Sequence, residues 1–317
     1  METHIRIKPS WQIFTENDTL IFYNSYGKGV LFLFNDVMKQ LLQLLSNPIT
    51  EKEFINQLTA SIPATKKDIK ALIDKMKSLH ILEKYIPVQI EAYAHQKFQT
   101  QLSFFDLLQP LPSLQSKLDL QQKLRTTKML IIGCGGIGCS LLQSIAAAGI
   151  EQITIIDGDM VELNNLGKQL LFTHEDIGEY KTEAAANQLR RIAPDAVVTP
   201  ITTFINNATQ LQDILEKNPK PDFIFLSADE PNLPLWLDAV CKNLQLSFMK
   251  VSYLGSVGFI GPLIIPGGKR FSEIIQLANF DELQNEFTRL HNKNHKHAST
   301  VFTNSIIANL AITECLK

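Results

Sequence analysis

The residues best suited to chemistry begin at a cluster of glycines. Gly133, Gly135, Gly136 and Gly138 follow directly on an apolar run, Met129 to Ile132, whose continuity predicts a strand buried on both faces. Behind them, Ile137 to Ala148 carries apolar and small residues at helical spacing without proline, and Gly149 supplies the stop. A second strand, Gln152 to Ile156, then runs into Asp157. Strand, Gly-x-Gly-x-x-Gly turn, helix, strand and acid form the βαβ unit that binds nucleotides. Its glycines let backbone N–H groups approach phosphate at a helix N-terminus, and its acid accepts hydrogen bonds from ribose hydroxyls. Taken alone, that unit serves NAD, FAD and ATP equally. A further acid, Asp229, lies just past the apolar strand Phe223 to Leu226, in the run Ser227-Ala228-Asp229-Glu230-Pro231. This is the carboxyl edge of the sheet, where α/β folds place ligands; in isolation Asp229 reads as readily as the cap of the next helix.

The residues after Asp157 narrow the choice. Asp157-Gly158-Asp159-Met160-Val161-Glu162-Leu163-Asn164-Asn165-Leu166-Gly167-Lys168-Gln169, then Phe172, then Asp176-Ile177-Gly178 and Lys181, closely resemble the signature D-x-D-x-V-E-x-x-N-L-x-R-Q-x-L-F-x-x-x-D-I-G-x-x-K of the ThiF/MoeB family, adenylating enzymes related to ubiquitin-activating enzyme. The resemblance runs from Lys128 to the C-terminus. It implies binding of ATP and Mg²⁺, with the glycines and Asp157 on the nucleotide and Asp229 on magnesium. Asp159, Asn165, Lys168, Gln169 and Lys181 fall on the remaining positions of the nucleotide and phosphate site, Asn165, Lys168 and Lys181 beside Asp229 as the catalytic set. Adenylation moves AMP from ATP to a carboxylate, so charge builds on the α-phosphate and the leaving pyrophosphate and must be met by cations. At one position the chain departs from the pattern. Lys168 stands where the family has arginine, keeping the charge but losing the bidentate fork.

These side chains need a sheet to carry them, and the sequence beyond Lys181 supplies one. Helices are predicted over Thr182–Ile192, Ala208–Lys217 and Leu233–Asn243, alternating with strands Val197–Ile201, Phe223–Leu226 and Ser247–Val251. Gly255 to Ile265 reads as antiparallel edge strands and Phe302 to Leu316 as a closing helix, with a polar crossover loop over 267–300 between them. The expected fold is α/β, a Rossmann-like, mostly parallel sheet over 128–317. A linker and connecting helix, 87–127, joins it to a small α+β domain over 1–86. In that small domain, Ile5–Ile7, Trp11–Phe14 and Thr19–Asn24 read as one small antiparallel sheet. A helix capped by Asn35, one opened by Thr50 and one over Thr65–Leu79 follow, then a return strand at Ile81-Leu82-Glu83. This winged-helix-like layout resembles the PqqD-like leader-peptide recognition element, which implies a precursor peptide held by strand addition. A DNA-binding winged helix competes, but the lysines of TKKDIKALIDKMKSLH are spread round the helix rather than aligned along one stripe.

Composition excludes other classes. The chain has 317 residues, 45% hydrophobic and 20% charged, with a net charge of −2 and hence no electrostatic footprint for nucleic acid. It has no apolar run of the roughly 20 residues a membrane span needs, and the polar N-terminus METHIRIKPS is no signal peptide, so the expected compartment is the cytoplasm. Cys134, Cys139, Cys241 and Cys315 contain no C-x-x-C pair, which predicts reduced thiols and no zinc. His291, His295 and His297 lie close together, but among Asn and Lys they read as loop rather than metal ligands. Residues 252 to 314 lack the cysteine with which thioester-forming relatives work. A peptide-binding domain ahead of a cysteine-poor adenylating core most resembles the microcin-adenylating branch. That implies a homodimer maturing a ribosomally made peptide by activating a carboxylate, leading to cyclisation or AMP transfer. Two alternatives remain open: activation of a ubiquitin-like sulfur carrier, and a non-catalytic peptide-presenting partner of a cyclodehydratase.

Overall fold

The computed structural model describes residues 3–24, 29–85, 92–108, 113–254, 257–275 and 300–316. The chain divides into two compact units, Met1–Gln122 and Lys123–Lys317.

In the first unit, β1 (His4–Ile7), β2 (Trp11–Glu16), β3 (Thr19–Asn24) and β4 (Gly29–Leu33) precede α1 (Asp36–Leu44), β5 (Ile49–Thr50), α2 (Glu51–Ser61), α3 (Lys66–Ser78) and β6 (Leu82–Tyr85). The helix starts follow from local chemistry. The Asn35 side chain accepts from the Met38 amide, Thr50 from Glu53, and Thr65 forms a capping box with Asp68. The strands expected in one sheet form two. β1 pairs antiparallel with both β5 and β6, while β2, β3 and β4 make a separate antiparallel meander. Leu20 and Phe22 of β3 enter a core with Leu41, Phe54, Leu58 and Ile73. Alternation then places Phe14, Ile21 and Leu31, which are in register, on the meander's other face, where Phe14 and Leu31 are exposed. α4 (Ala92–Leu108) and α5 (Leu114–Thr126) follow. Glu83 is fully buried between Arg6 at 2.7 Å and Lys117 at 2.9 Å, so an ion triad ties α5 to β1 and β6.

The second unit is a six-stranded sheet in the order β12-β11-β10-β7-β8-β9. Its strands are β7 (Lys128–Ile132), β8 (Gln152–Asp157), β9 (Val197–Thr202), β10 (Phe223–Leu226), β11 (Phe248–Leu254) and β12 (Val257–Ile264). All pairings are parallel except that of β11 with β12. α6 (Gly136–Ala147), α7 (Lys181–Ile192), α8 (Ala208–Lys217) and α9 (Leu233–Leu244) make the crossovers. Ile131, Ile155 and Phe225 pack on the α6 and α7 side, Ile132, Ile224 and Leu226 on the α8 and α9 side. This accounts for the unbroken apolar strands. A short α10 (Phe271–Ile274) interrupts the stretch expected to be loop, and α11 (Val301–Cys315) packs on α6. The three histidines of 291–297 and most of the expected crossover loop lie outside the described residues. None of the described helices is long and apolar enough to cross a membrane.

Candidate functional site

Strand order reverses between β7 and β10, so the chain leaves these neighbours in opposite directions and a crevice opens at their carboxyl ends. A cavity of about 560 Å³ occupies it, within the range of small-molecule sites. Of the residues singled out in the sequence, Gly133, Gly135, Gly136, Asp157, Asp159, Asn165, Lys168, Gln169, Lys181 and Asp229 all line this cavity. Gly138 does not.

The glycine turn is shaped by close approach. Gly133 has φ +97, and a Cβ there would stand 2.6 Å from the Ala228 nitrogen, at the point where the β7 and β10 ends touch. Ser227 fastens the same point by donating to the Gly133 carbonyl at 2.8 Å. At Gly138 a Cβ would meet the Gly133 carbonyl oxygen, so its absence lets α6 sit down on the turn. α6 starts at Gly135 without a side-chain cap, and nothing lies within 4 Å of a Cβ built there. Its first-turn amides thus meet no side-chain cap among the described residues, the arrangement that receives phosphate.

Asp157 ends β8 as expected. One carboxylate oxygen accepts the Cys134 amide at 2.6 Å and the other the Asp159 amide at 2.8 Å. Burial raises its pKa, against the lowering effect of Lys181 and those two amides. Lys181 opens α7 and donates to Asp159 at 2.7 Å. Burial pulls its ammonium down, but the charges of Asp157 and Asp159 outweigh that and hold it above the usual lysine value. The rest of the signature is largely scaffolding. Asn165 caps a 3-10 turn by accepting the Glu162 amide at 3.0 Å, and the buried Asp176 accepts both the amide and hydroxyl of Thr173. Gln169 lines the cavity but is 4% exposed, and its buried Oε1 has no hydrogen-bond partner among the described residues.

Sequence reasoning missed several cavity residues. Asn304 of α11 is 1% exposed; it accepts from the Tyr253 hydroxyl at 2.8 Å and donates to the Lys168 carbonyl at 3.1 Å, tying α11 and β11 to the signature turn. The available signal was an asparagine, Asn304, on an otherwise largely apolar closing helix. Phe204 and Asn206, past the end of β9, also line the cavity. Outside the cavity lining, Lys250 of β11 lies in the field of Asp229, while burial lowers its pKa.

The lining carries Asp157, Asp159, Asp229 and Glu230 against Lys168 and Lys181. Such a site receives a polyphosphate only together with a further cation. Asp229 is exposed to the cavity, and magnesium needs only one or two carboxylates beside phosphate oxygens, so the donor set fits that ion. The buried Cys134 and Cys241 and the half-buried Cys315 are poor nucleophiles. A hydrogen bond to Cys139 and burial push Cys134 well up, burial raises Cys241 to about 12, and burial raises Cys315 to about 11.

A family model described as the ThiF family matches residues 108–317. The molybdopterin-synthase adenylyltransferase of Escherichia coli K12 is 38% identical over 90 residues, 28% of this chain and 36% of that protein. The adenylyltransferase and sulfurtransferase UBA4 of Saccharomyces cerevisiae is 32% identical over 138 residues, 44% of this chain and 30% of that protein. The matched segments thus span about a third of these relatives' length. Among solved structures, the Microcin C7 biosynthetic enzyme MccB in complex with N-formylated MccA superimposes with a TM-score of 0.77 at 23% identity, covering 99% of this chain and 88% of that one. E. coli MccB with ATP gives 0.76 over the same shares. The fold is therefore shared across the whole chain.

Proposed function

The chain belongs to the ThiF family, and from that membership we propose that it is an ATP- and Mg²⁺-dependent adenylyltransferase that activates a carboxylate on a ribosomally made peptide. The observation that carries this reading is the convergence of the uncapped glycine turn, Asp157, Lys181 and Asp229 on one cavity at the switch point.

In this reading the amides of the glycine turn hold phosphate and Asp157 holds the ribose. Lys181 and Lys168 set positive charge against the phosphates, Asn165 keeps the turn that presents Lys168 in shape, and Gln169 lines the same cavity. Magnesium on Asp229 would supply charge neutralisation at the phosphates. A peptide carboxylate oxygen attacks the α-phosphorus, and the bond from that phosphorus to the bridging oxygen breaks. Pyrophosphate leaves with the electron pair, giving an acyl adenylate. An internal amide or amine nitrogen then attacks the acyl carbon, loses its proton and displaces AMP. The raised thiols of Cys134, Cys241 and Cys315 support a route without a cysteine thioester.

The first unit is the proposed peptide holder. β2 and β4 are both edges of the meander, and Leu31 and Leu33 on β4 are exposed. A peptide strand added there would gain main-chain hydrogen bonds and apolar contacts. That MccB was solved with N-formylated MccA and with ATP supports the pairing of a second substrate with a nucleotide on this fold.

ATP–pyrophosphate exchange tests the proposal. Exchange dependent on a peptide encoded beside the gene is expected. The relatives' names favour a second reading, the C-terminal glycine of a sulfur-carrier protein, and exchange driven only by such a carrier would establish it instead. Absence of ATP binding would leave only a peptide-presenting scaffold.

A further inference from the structure

Of the two lysines that line the cavity, only one is fastened by its side chain. Lys181 donates to Asp159, whereas the Lys168 ammonium has no ion-pair partner among the described residues. What places Lys168 is its backbone. Its amide donates to the Asn165 carbonyl at 3.0 Å, and its carbonyl accepts from Asn304 Nδ2 at 3.1 Å, across 136 positions of the chain.

Asn304 stands where the pattern of α11 calls for an apolar residue. Ala308, Ala311 and Ile312 follow it at helical spacing, and all three are buried in the core. An amide taken out of water in such company is costly unless both of its ends are paired. Both are: Oδ1 accepts the Tyr253 hydroxyl at 2.8 Å while Nδ2 donates to Lys168. Burial raises the Tyr253 pKa, against the lowering effect of a hydrogen bond with Thr303, so the hydroxyl keeps the proton it donates. The place needs a planar group with an acceptor at one end and a donor at the other. Leucine, of similar size, would leave the Lys168 carbonyl and the Tyr253 hydroxyl bare, and aspartate would set an anion against that carbonyl.

The glycine turn is the third party. A Cβ at Gly136 would strike Asn304 Nδ2, so the missing side chain lets α11 close on the first turn of α6. Asn304 thus joins three segments that each line the cavity: the glycine turn, the signature turn and the end of β11. Its bonds fix the point from which the flexible Lys168 side chain starts.

We propose that Asn304 is a positioning residue that acts through Lys168, holding its backbone against the glycine turn so that the ammonium meets the phosphates, with Tyr253 holding Asn304. This rests on the adenylation reading above and adds a residue that serves the phosphates through another side chain.

The test is calorimetric titration of the full chain with ATP and with adenosine, which has no phosphate, in magnesium buffer. Lys168→Ala should raise the ATP Kd about 10- to 100-fold and leave the adenosine Kd unchanged. Asn304→Ala should raise the ATP Kd about 3- to 30-fold, again without moving adenosine, and should add no further loss to Lys168→Ala. Asn304→Asp keeps the shape and the Tyr253 bond but exchanges the donor for an anion, and should weaken ATP more than Asn304→Ala. Tyr253→Phe should weaken ATP in the same direction by a smaller factor. If Asn304→Ala weakens ATP and adenosine alike, or costs as much on Lys168→Ala as on wild type, its role is structural alone and the proposal is overturned while the adenylation reading stands. Should Asn304→Ala fail to fold, Tyr253→Phe carries the same comparison, because it keeps the ring and loosens only Asn304; an unchanged ATP Kd there overturns the proposal equally. Failure of the wild type to bind ATP at all overturns both readings together.

Discussion

Lys181 shows how a single side chain serves stability and chemistry at once. Its ammonium is largely buried, donates to Asp159 and lies in the field of Asp157, so its pKa stands above 10.5. A raised lysine contributes stability fully below the unfolded value and loses it only as pH rises through the folded one, so the charge is present throughout neutral assay conditions. Lys181→Met should lower pyrophosphate exchange about 100- to 1,000-fold, the cost of one removed electrostatic contact. It should destabilise the fold by about 1–2 kcal/mol, a figure discounted because Asp159 is half exposed. Exchange kinetics and chemical denaturation measure the two separately. Asp157 is shifted the same way, but for a carboxylate the upward shift disfavours the charged form. Burial raises it above 3.8, so charging it costs stability as pH rises through the folded value, whereas a ribose acceptor must be charged. ATP affinity should therefore fall on acidification at a pH above that of an ordinary aspartate, read from Kd against pH. Asp229→Asn should raise the Mg²⁺ concentration for half-maximal exchange about tenfold or more. Asp157 and Lys181 were legible because each belongs to a motif whose spacing survives in the linear sequence. Phe204, Lys250 and Asn304 were not, because only the strand order brings their distant segments beside the glycine turn.

At the scale of elements, two glycines of one motif do different things. Gly135 opens into space, so an Ala there meets no clash and should cost no more than about 1 kcal/mol, the difference between Gly and Ala at a helix N-cap. At Gly138 the added Cβ would collide with the Gly133 carbonyl, so Gly138→Ala should cost about 1–3 kcal/mol and displace α6 from the phosphate turn. Melting curves of the two variants should diverge accordingly. The motif as a string of letters gives no such distinction, since glycine is written alike whether it frees an amide or admits a neighbour. The parallel strands and helices of the second unit were legible for the reason that makes them stable: strands buried on both faces are continuously apolar, and the helices between them carry their own stops. In the first unit β1, β2, β3 and β6 were legible, but β4, β5 and the pairing into sheets were not. β1 pairs with β5 and β6, far along the chain, and alternation within β1 carries no record of its partners. That arrangement rests on the Arg6–Glu83–Lys117 triad. Glu83→Ala removes the carboxylate both cations share and should destabilise by about 3–5 kcal/mol, visible as an early transition on heating.

For the molecule as a whole, α11 raises the question of what covers it. One side packs Ala308, Ala311 and Ile312 into the core, while Phe302, Ile306 and Leu310 form an exposed stripe at helical spacing. A second copy meeting this stripe is the proposed cover, in keeping with the homodimer implied by the family resemblance. Light scattering should then give twice the chain mass for wild type and one chain mass for Ile306→Glu; a monomeric wild type would remove the proposal. Dimerisation would also allow Lys168, which replaces the arginine of the family pattern, to serve either its own site or its neighbour's. Here the geometry favours its own. Lys168 lines the cavity of the chain that carries it, and its carbonyl is held by Asn304, whose side chain lies against Gly136 of the same chain. Mixing Lys168→Ala with Asp157→Ala subunits separates the cases. Were Lys168 to act across the interface, each mixed dimer would contain one intact site, and about a quarter of wild-type exchange would return on random assortment of a two-fold pair. With Lys168 acting within its own subunit, every site lacks one residue or the other, so exchange should stay at the level of the separate variants.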